Sequence, residues 1–316
     1  MQEKTLSRLE KRRQEKAWQY TLEYIALRGF VTLCYILPWA ALYWVAQRCA
    51  LFQVWLTRSR PNYIDKNLEK CFPRLSQQEI QRIKKNYTIR FMNTTFETMK
   101  YYGLGRKKQL QVIKNRVKIV NPELIDEMLE KHPGCILFAA HYGNWEWLGN
   151  TLSWTYPGRV SSVYKTLHNG ITDKYLYKLR KQGFYPGSNL HEKQGFLKSF
   201  LKDLRDPKEQ SKGYFMLSDQ RPGSTQEKVK VHFLGRETAF LAGPEKLARQ
   251  KDLPIVYVKM TEIKTGYYQV ELIRIAYDKS EPLGSATKAI AKILEKQVNQ
   301  SPENWLWAHD LWKNID

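Results

Sequence analysis

Residues 134–152, GCILFAAHYGNWEWLGNTL, hold the most informative reading in the chain. Cys135–Ala140 is an unbroken apolar run of strand length, which suits a strand covered on both faces. Gly143 allows a tight turn, and a helix is expected over Trp145–Thr155. The segment therefore predicts a strand whose carboxyl end turns straight into a helix. In open α/β sheets that edge is where ligands bind. His141 stands at this edge, with Glu146 five positions further on.

The pattern continues on both sides. Ser76-Gln77-Gln78-Glu79 is a capping box that predicts a helix running to Gly103, with Ile80, Ile83, Tyr87, Phe91 and Met99 at helical spacing. Pro122 predicts another helix, with Asn121 as its cap, ended by Pro133-Gly134. Strands are expected at Val160–Tyr164, Tyr214–Ser218, Val229–Phe233, Ile255–Met260 and Tyr267–Ile275, the last two joined by a Thr265-Gly266 turn. Helices are expected between them at Asp173–Gln182, Gly195–Leu204, Pro244–Lys251 and Ala286–Gln300. Alternation of this kind predicts an α/β fold with a mixed central sheet flanked by helices.

The amino-terminal part differs. From Gly29 to Gln47, GFVTLCYILPWAALYWVAQ carries no charge, and Arg28 and Arg48 bracket it. As one helix it would span about 28 Å, near the hydrocarbon thickness of a bilayer. Pro38 at its centre and the aromatic rings around it favour a kink or a headgroup-level position. A buried core helix is the other reading of the same residues. We expect residues 1–60 to form a basic and hydrophobic membrane anchor of undecided depth, and residues 61–316 one catalytic domain.

Charge and cysteine usage narrow the function. The chain of 316 residues carries 52 Lys and Arg against 31 Asp and Glu, a formal net charge of +21. Its natural partner is therefore anionic: nucleic acid, an acidic protein or an anionic lipid surface. The four cysteines form no close pair, which suggests neither a zinc site nor a disulfide scaffold. G-x-S-x-G, H-E-x-x-H, C-x-x-C and phosphate-loop motifs are absent from the sequence. His141 and Glu146 are the candidate catalytic pair, the acid reaching the imidazole nitrogen opposite the reacting one and supporting its positive charge. A histidine satisfied by the turn backbone is the alternative.

These residues resemble a known family. HYGNWE after GCILFAA is similar to the H-x4-D/E signature of glycerolipid acyltransferases, in the version carried by bacterial lipid A late acyltransferases. NLEKCFPRLS (67–76), SDQRPG (218–223), VHFLGRETAF (231–240) and PENWLWAHDLWK (302–313) resemble further stretches of that family in the same order. The resemblance implies a membrane-associated O-acyltransferase of lipid A and lipopolysaccharide biosynthesis, at the cytoplasmic face of the bacterial inner membrane. The donor it implies is an acyl carrier protein thioester or acyl-coenzyme A, and the acceptor a hydroxyl of an anionic lipid. No cofactor, metal or nucleic acid is implied. His141 becomes a general base, oriented by Glu146, that activates the hydroxyl without an acyl-enzyme. Backbone N–H groups near Asn144 and Trp145 would hold the oxyanion. Lys165, Arg180 and Arg221 are the expected cations for the anionic substrate, Asn144 a further substrate contact, and Asp219 a support for Arg221 or its loop. Trp305, Trp307 and His309 read as packing. A basic nucleic-acid binder, or a membrane scaffold without catalysis, is the competing class. The former lacks a recognisable binding motif and leaves the uncharged stretch without a role.

Overall fold

The structure, a computed structural model, describes residues 2–57, 63–164, 166–167, 169–205, 211–223 and 226–313. Two helices, α1 (Gln2–Ile36) and α2 (Trp39–Thr57), open the chain, followed by α3 (Tyr63–Cys71), α4 (Gln77–Gly103) and α5 (Arg106–Arg116). Strand β1 (Val117–Ile119), α6 (Glu123–Lys131), β2 (Gly134–Ala139), α7 (Trp145–Thr155), β3 (Val160–Tyr164), α8 (Gly170–Gly183), β4 (Asn189–Glu192) and α9 (Lys193–Asp203) come next. The chain continues through β5 (Lys212–Leu217), β6 (Lys228–Phe233), β7 (Arg236–Leu241), α10 (Gly243–Lys251), β8 (Ile255–Lys264), β9 (Tyr267–Ile275) and α11 (Ser285–Gln300).

Seven strands form one sheet in the order β1-β9-β8-β2-β5-β3-β4, and β6 and β7 form a separate antiparallel pair. The sheet is parallel except for the β8–β9 hairpin. The expected mixed sheet between helices is thus what the chain builds. Strand β2 lies between β8 and β5, which explains its continuous apolar run. Cys135, Leu137 and Ala139 pack on one face with Trp147 of α7, Tyr101 of α4 and Ile125 of α6. Ile136 and Phe138 pack on the other with Phe196 and Phe200 of α9, Ala248 of α10 and Ile290 of α11. A strand covered on both sides has no polar face to show.

The capping box forms as read: Ser76 accepts from the Glu79 backbone N–H, and the Glu79 carboxylate accepts from the Ser76 backbone N–H. Asn121, expected to cap α6, does something else. Its side chain donates to the Leu272 carbonyl at 2.8 Å and accepts from the Leu272 N–H at 3.0 Å, continuing the pairing of β1 along β9.

The stretch Gly29–Gln47 does not form one helix. α1 ends at Ile36 and α2 begins at Trp39. Pro38 has no N–H to continue the helical ladder, and its ring disfavours helical backbone at Leu37. Among the described residues no helix is long and apolar enough to cross a membrane. The expected boundary between residues 60 and 61 lies outside the described residues. Both helices instead lean on α4, where Cys34, Leu42, Ala46 and Phe96 share a small core.

Lys100 of α4 closes the break. Its ammonium donates to the carbonyls of Cys34 (3.3 Å), Tyr35 (3.0 Å) and Leu37 (2.6 Å). These belong to the last turn of α1 and the residue beyond it, where carbonyls have lost their helical donors, and a cation there also meets the negative end of the helix dipole. Lys100→Met should therefore cost about 2–5 kcal/mol in denaturant unfolding, since three carbonyls lose a charged donor in a buried setting. An unchanged midpoint would show that Lys100 does not hold the kink.

Candidate active site

His141 follows the end of β2 and is buried, with 8% of its surface exposed. Its position is over-determined by backbone. The next residues turn through Gly143 at φ +61°, a conformation that favours glycine, and a Cβ there would press on the Met260 side chain. The carboxyl-terminal segment then pairs with this turn: Leu306 N–H donates to the His141 carbonyl at 3.0 Å, and Gly143 N–H to the Asn304 carbonyl at 2.9 Å.

Asp219, just past the end of β5, is the partner of the imidazole. His141 Nδ1 lies 2.6 Å from Asp219 Oδ1, while Oδ2 accepts from the His141 backbone N–H at 2.9 Å and from the Trp305 indole N–H at 2.9 Å. Burial pushes the Asp219 carboxyl up, but the adjacent His141 and the three donated hydrogen bonds outweigh it and hold it below the usual aspartate value. An ionised Asp219 at Nδ1 fixes the proton there and leaves Nε2 with a lone pair. That second nitrogen lies 3.1 Å from Gln220 Nε2, and the ring meets Trp145 edge-on at 5.4 Å between centroids.

The expected His141–Glu146 hydrogen bond is not present. Glu146, in the first turn of α7, accepts two bonds from Arg180 of α8, from Nη2 at 2.7 Å and Nε at 3.2 Å, and a third from the Tyr102 hydroxyl of α4 at 2.6 Å. The α7 helix directs Glu146 towards α4 and α8, while the turn presents His141 to β5. Burial raises the Glu146 carboxyl, and Arg180, the Tyr102 hydroxyl and His141 together bring it below the ordinary glutamate value. Glu146 therefore lies near His141 without touching it.

The other expected site residues divide. Asn144 is fully buried and caps α7, accepting from Trp147 N–H at 3.1 Å and donating to Glu97 of α4 at 2.8 Å, so it is not a surface for substrate. Arg180 lines the cavity beside His141, paired to Glu146. Arg221 is held by neither Asp219 nor Glu146. Its guanidinium donates to the Lys313 carbonyl at 2.8 Å, and its backbone N–H donates to His309 Nε2 at 2.9 Å. Lys165 lies outside the described residues. Trp305, Trp307 and His309 do pack and brace loops, yet Trp305 also binds the key carboxylate. Gln220 and Tyr102 are additions to the expected set: Gln220 lies inside the SDQRPG stretch but carries no sign of its contact with His141, and Tyr102 sits near the end of a long helix with no local signal.

A cavity of about 550 Å³ opens from this cluster, within the range of small-molecule sites. His141, Trp145, Glu146, Arg180 and Gln220 form its polar end. Phe184, Leu197, Phe215, Leu217, Leu241 and Leu247 line much of the remainder, with Asn150, Ser162, Gln226 and Glu227 as further polar groups. Amides in the first turn of α7 have no acceptors within the helix, so its positive end sits at the polar end of the cavity. Such a site can strip a proton from a hydroxyl at His141 Nε2 while an aliphatic chain is buried alongside.

The stretches at 67–76, 231–240 and 302–313 meet behind the histidine. Arg236 donates to Asn67 Oδ1 at 2.9 Å, Asn67 donates to Asp310 Oδ1 at 3.1 Å, and the Trp312 indole donates to Thr238 at 2.8 Å. Residues 10–314 match the family of bacterial lipid A biosynthesis acyltransferases. The chain belongs to that family. It is also similar to a lipid A biosynthesis lauroyltransferase of Escherichia coli (strain K12), at 24% identity over 304 residues, covering 93% of this chain and 92% of that protein. The chain is accordingly an acyltransferase of lipid A biosynthesis.

Glu97 supports the site from below. It accepts from Tyr43 (2.9 Å), Tyr268 (2.8 Å) and Asn144 (2.8 Å). Burial pushes its carboxyl up from 4.5 to about 7 despite these donors. The folded protein then keeps a proton that the unfolded chain releases, so this group's stabilisation is present below about pH 4.5 and is lost as pH rises to about 7. Glu97→Gln should destabilise at pH 5, with a deficit that shrinks towards pH 8 in parallel thermal melts. A deficit constant across that range would contradict a titrating Glu97.

Proposed function

We propose that the enzyme transfers a fatty acyl chain from a thioester to a hydroxyl of a lipid A precursor, with His141 as general base and Asp219 as the carboxylate behind it. The observation that carries this reading is the His141 Nε2 position at the polar end of an apolar cavity, with Nδ1 bound to a buried carboxylate at 2.6 Å. A hydroxyl does not ionise at neutral pH, so its proton leaves as its oxygen attacks the thioester carbon. The new O–C bond forms, and the C–S bond breaks as the tetrahedral oxyanion collapses. The proton taken by Nε2 passes to the departing thiolate, and Asp219 stabilises the imidazolium in between. The amides at the start of α7 would supply donors for the oxyanion. Glu146 adds a second negative charge near the imidazolium and keeps Arg180 in the cavity wall.

Each methylene buried in the cavity favours binding by about 0.8 kcal/mol, which is how a long chain would be held without polar contacts. Exposed Arg106, Lys107 and Lys108 on α5 and Lys174, Lys178 and Lys181 on α8 suit an acidic donor, acyl carrier protein in preference to coenzyme A.

His141→Ala should lower turnover of purified enzyme by at least about 10²-fold with the fold intact. Asp219→Asn should approach the same loss, because an amide does not fix the Nδ1–H tautomer or balance the imidazolium. Near-normal turnover in either variant would overturn the dyad.

The attachment to a membrane is read from α1 and α2. Trp18, Leu22, Ile25, Leu33 and Ile36 form an exposed stripe on α1, and Trp44, Phe52 and Trp55 form one on α2 with Arg48 between them. Apolar stripes with basic residues suit helices lying in the headgroup region of the cytoplasmic face of the inner membrane. Replacing Trp44, Phe52 and Trp55 with Ser should weaken binding to anionic vesicles at high salt by at least about tenfold. Unaltered sedimentation would remove α2 from the membrane contact.

A further inference from the structure

We infer that Gln220 is a catalytic residue: its side-chain amide covers the lone pair of His141 Nε2 in the free enzyme, and moves to the thioester carbonyl oxygen when the acceptor hydroxyl takes its place. This rests on reading His141 as the base. With Nδ1–H committed to Asp219, Nε2 is an acceptor, so the Gln220 group 3.1 Å away must present its N–H to it. The atom that must accept the hydroxyl proton is therefore already occupied. A hydroxyl and the amide cannot both use one lone pair, so the amide has to leave before proton transfer.

The surroundings restrict how it leaves. Asp219 on one side is tied to His141 and to Trp305, and Arg221 on the other donates its backbone N–H to His309. With both neighbours anchored, only the Gln220 side chain is free to turn. Gln220 is partly exposed and lines the cavity together with His141, Trp145 and Arg180. A rotation there keeps its N–H within the polar end of the cavity, where negative charge develops on the carbonyl oxygen as the O–C bond forms. The displaced donor thus joins the α7 amides in an oxyanion hole, and the C–S bond breaks when that charge collapses. The same contact keeps the base covered until an acceptor competes for it.

Two measurements on the full-length enzyme test this. The first is the rate at which diethyl pyrocarbonate modifies His141, followed by peptide mass spectrometry, because the covered lone pair is the nucleophile that attacks the reagent. Gln220→Ala and Gln220→Met should accelerate modification about two- to tenfold, the equivalent of one ordinary hydrogen bond. The second is transfer from a dodecanoyl thioester of acyl carrier protein to a lipid A precursor. Both variants should lose about 10²–10³-fold in kcat with little change in donor KM, as for removal of one oxyanion donor. The Met variant retains side-chain length, so a loss shared by both variants reports the amide and not the packing. Active His141→Ala would overturn the base assignment and this inference together. If His141→Ala is dead while the Gln220 variants keep their kcat, or leave the modification rate unchanged, the role of Gln220 alone is overturned.

Discussion

The carboxylate of Asp219 is the constraint around which the proposed catalytic end of the molecule is arranged. One oxygen faces the His141 imidazole, and the other takes both the His141 backbone N–H and the Trp305 indole N–H. It thereby ties the end of β2 to the end of β5 and to the carboxyl-terminal segment. A carboxylate this buried is costly unless it is met by several donors, and all three are supplied by residues that also shape the site. Removing any one of them would loosen the histidine and raise the energy of the charge it depends on.

A second tier of buried polar contacts holds the rim. Glu97 grips Asn144, which caps α7, and α7 in turn carries Glu146 to Arg180 and Tyr102. α4 runs through all of this: it supplies Glu97 and Tyr102 to the site and Lys100 to the break between α1 and α2. The exposed apolar stripes of the first two helices are therefore coupled mechanically to the helix that braces the active site. This places the surface proposed to meet lipid and the cavity proposed to hold an acyl chain on one continuous scaffold.

Much of the architecture was legible locally. CILFAA reads as a doubly covered strand because both of its faces are packed, and the Ser76–Glu79 box reads as a helix start because its hydrogen bonds close within four residues. The position of His141 after a strand and before a turn was legible for the same reason. Its partner was not. Asp219 lies 78 residues away, and only the parallel pairing of β2 with β5 brings the two strand ends side by side. Glu146 was the nearest acid in sequence, but helical geometry turns it towards α4 and α8. Likewise the uncharged stretch around Pro38 reads as one long apolar span by composition, although the missing N–H at proline divides it into two helices. In each case the local chemistry was readable and the long-range partner was not.

The central claim is that Asp219 holds His141 with its proton on Nδ1 and its lone pair on Nε2. The most direct measurement is nitrogen NMR of the enzyme labelled at histidine, with His141 assigned by comparison with His141→Gln. At a pH where the ring is neutral, the account predicts a protonated Nδ1 and an unprotonated Nε2, with the distinction lost in Asp219→Asn. A neutral ring protonated on Nε2, or a spectrum indifferent to Asp219→Asn, would contradict it.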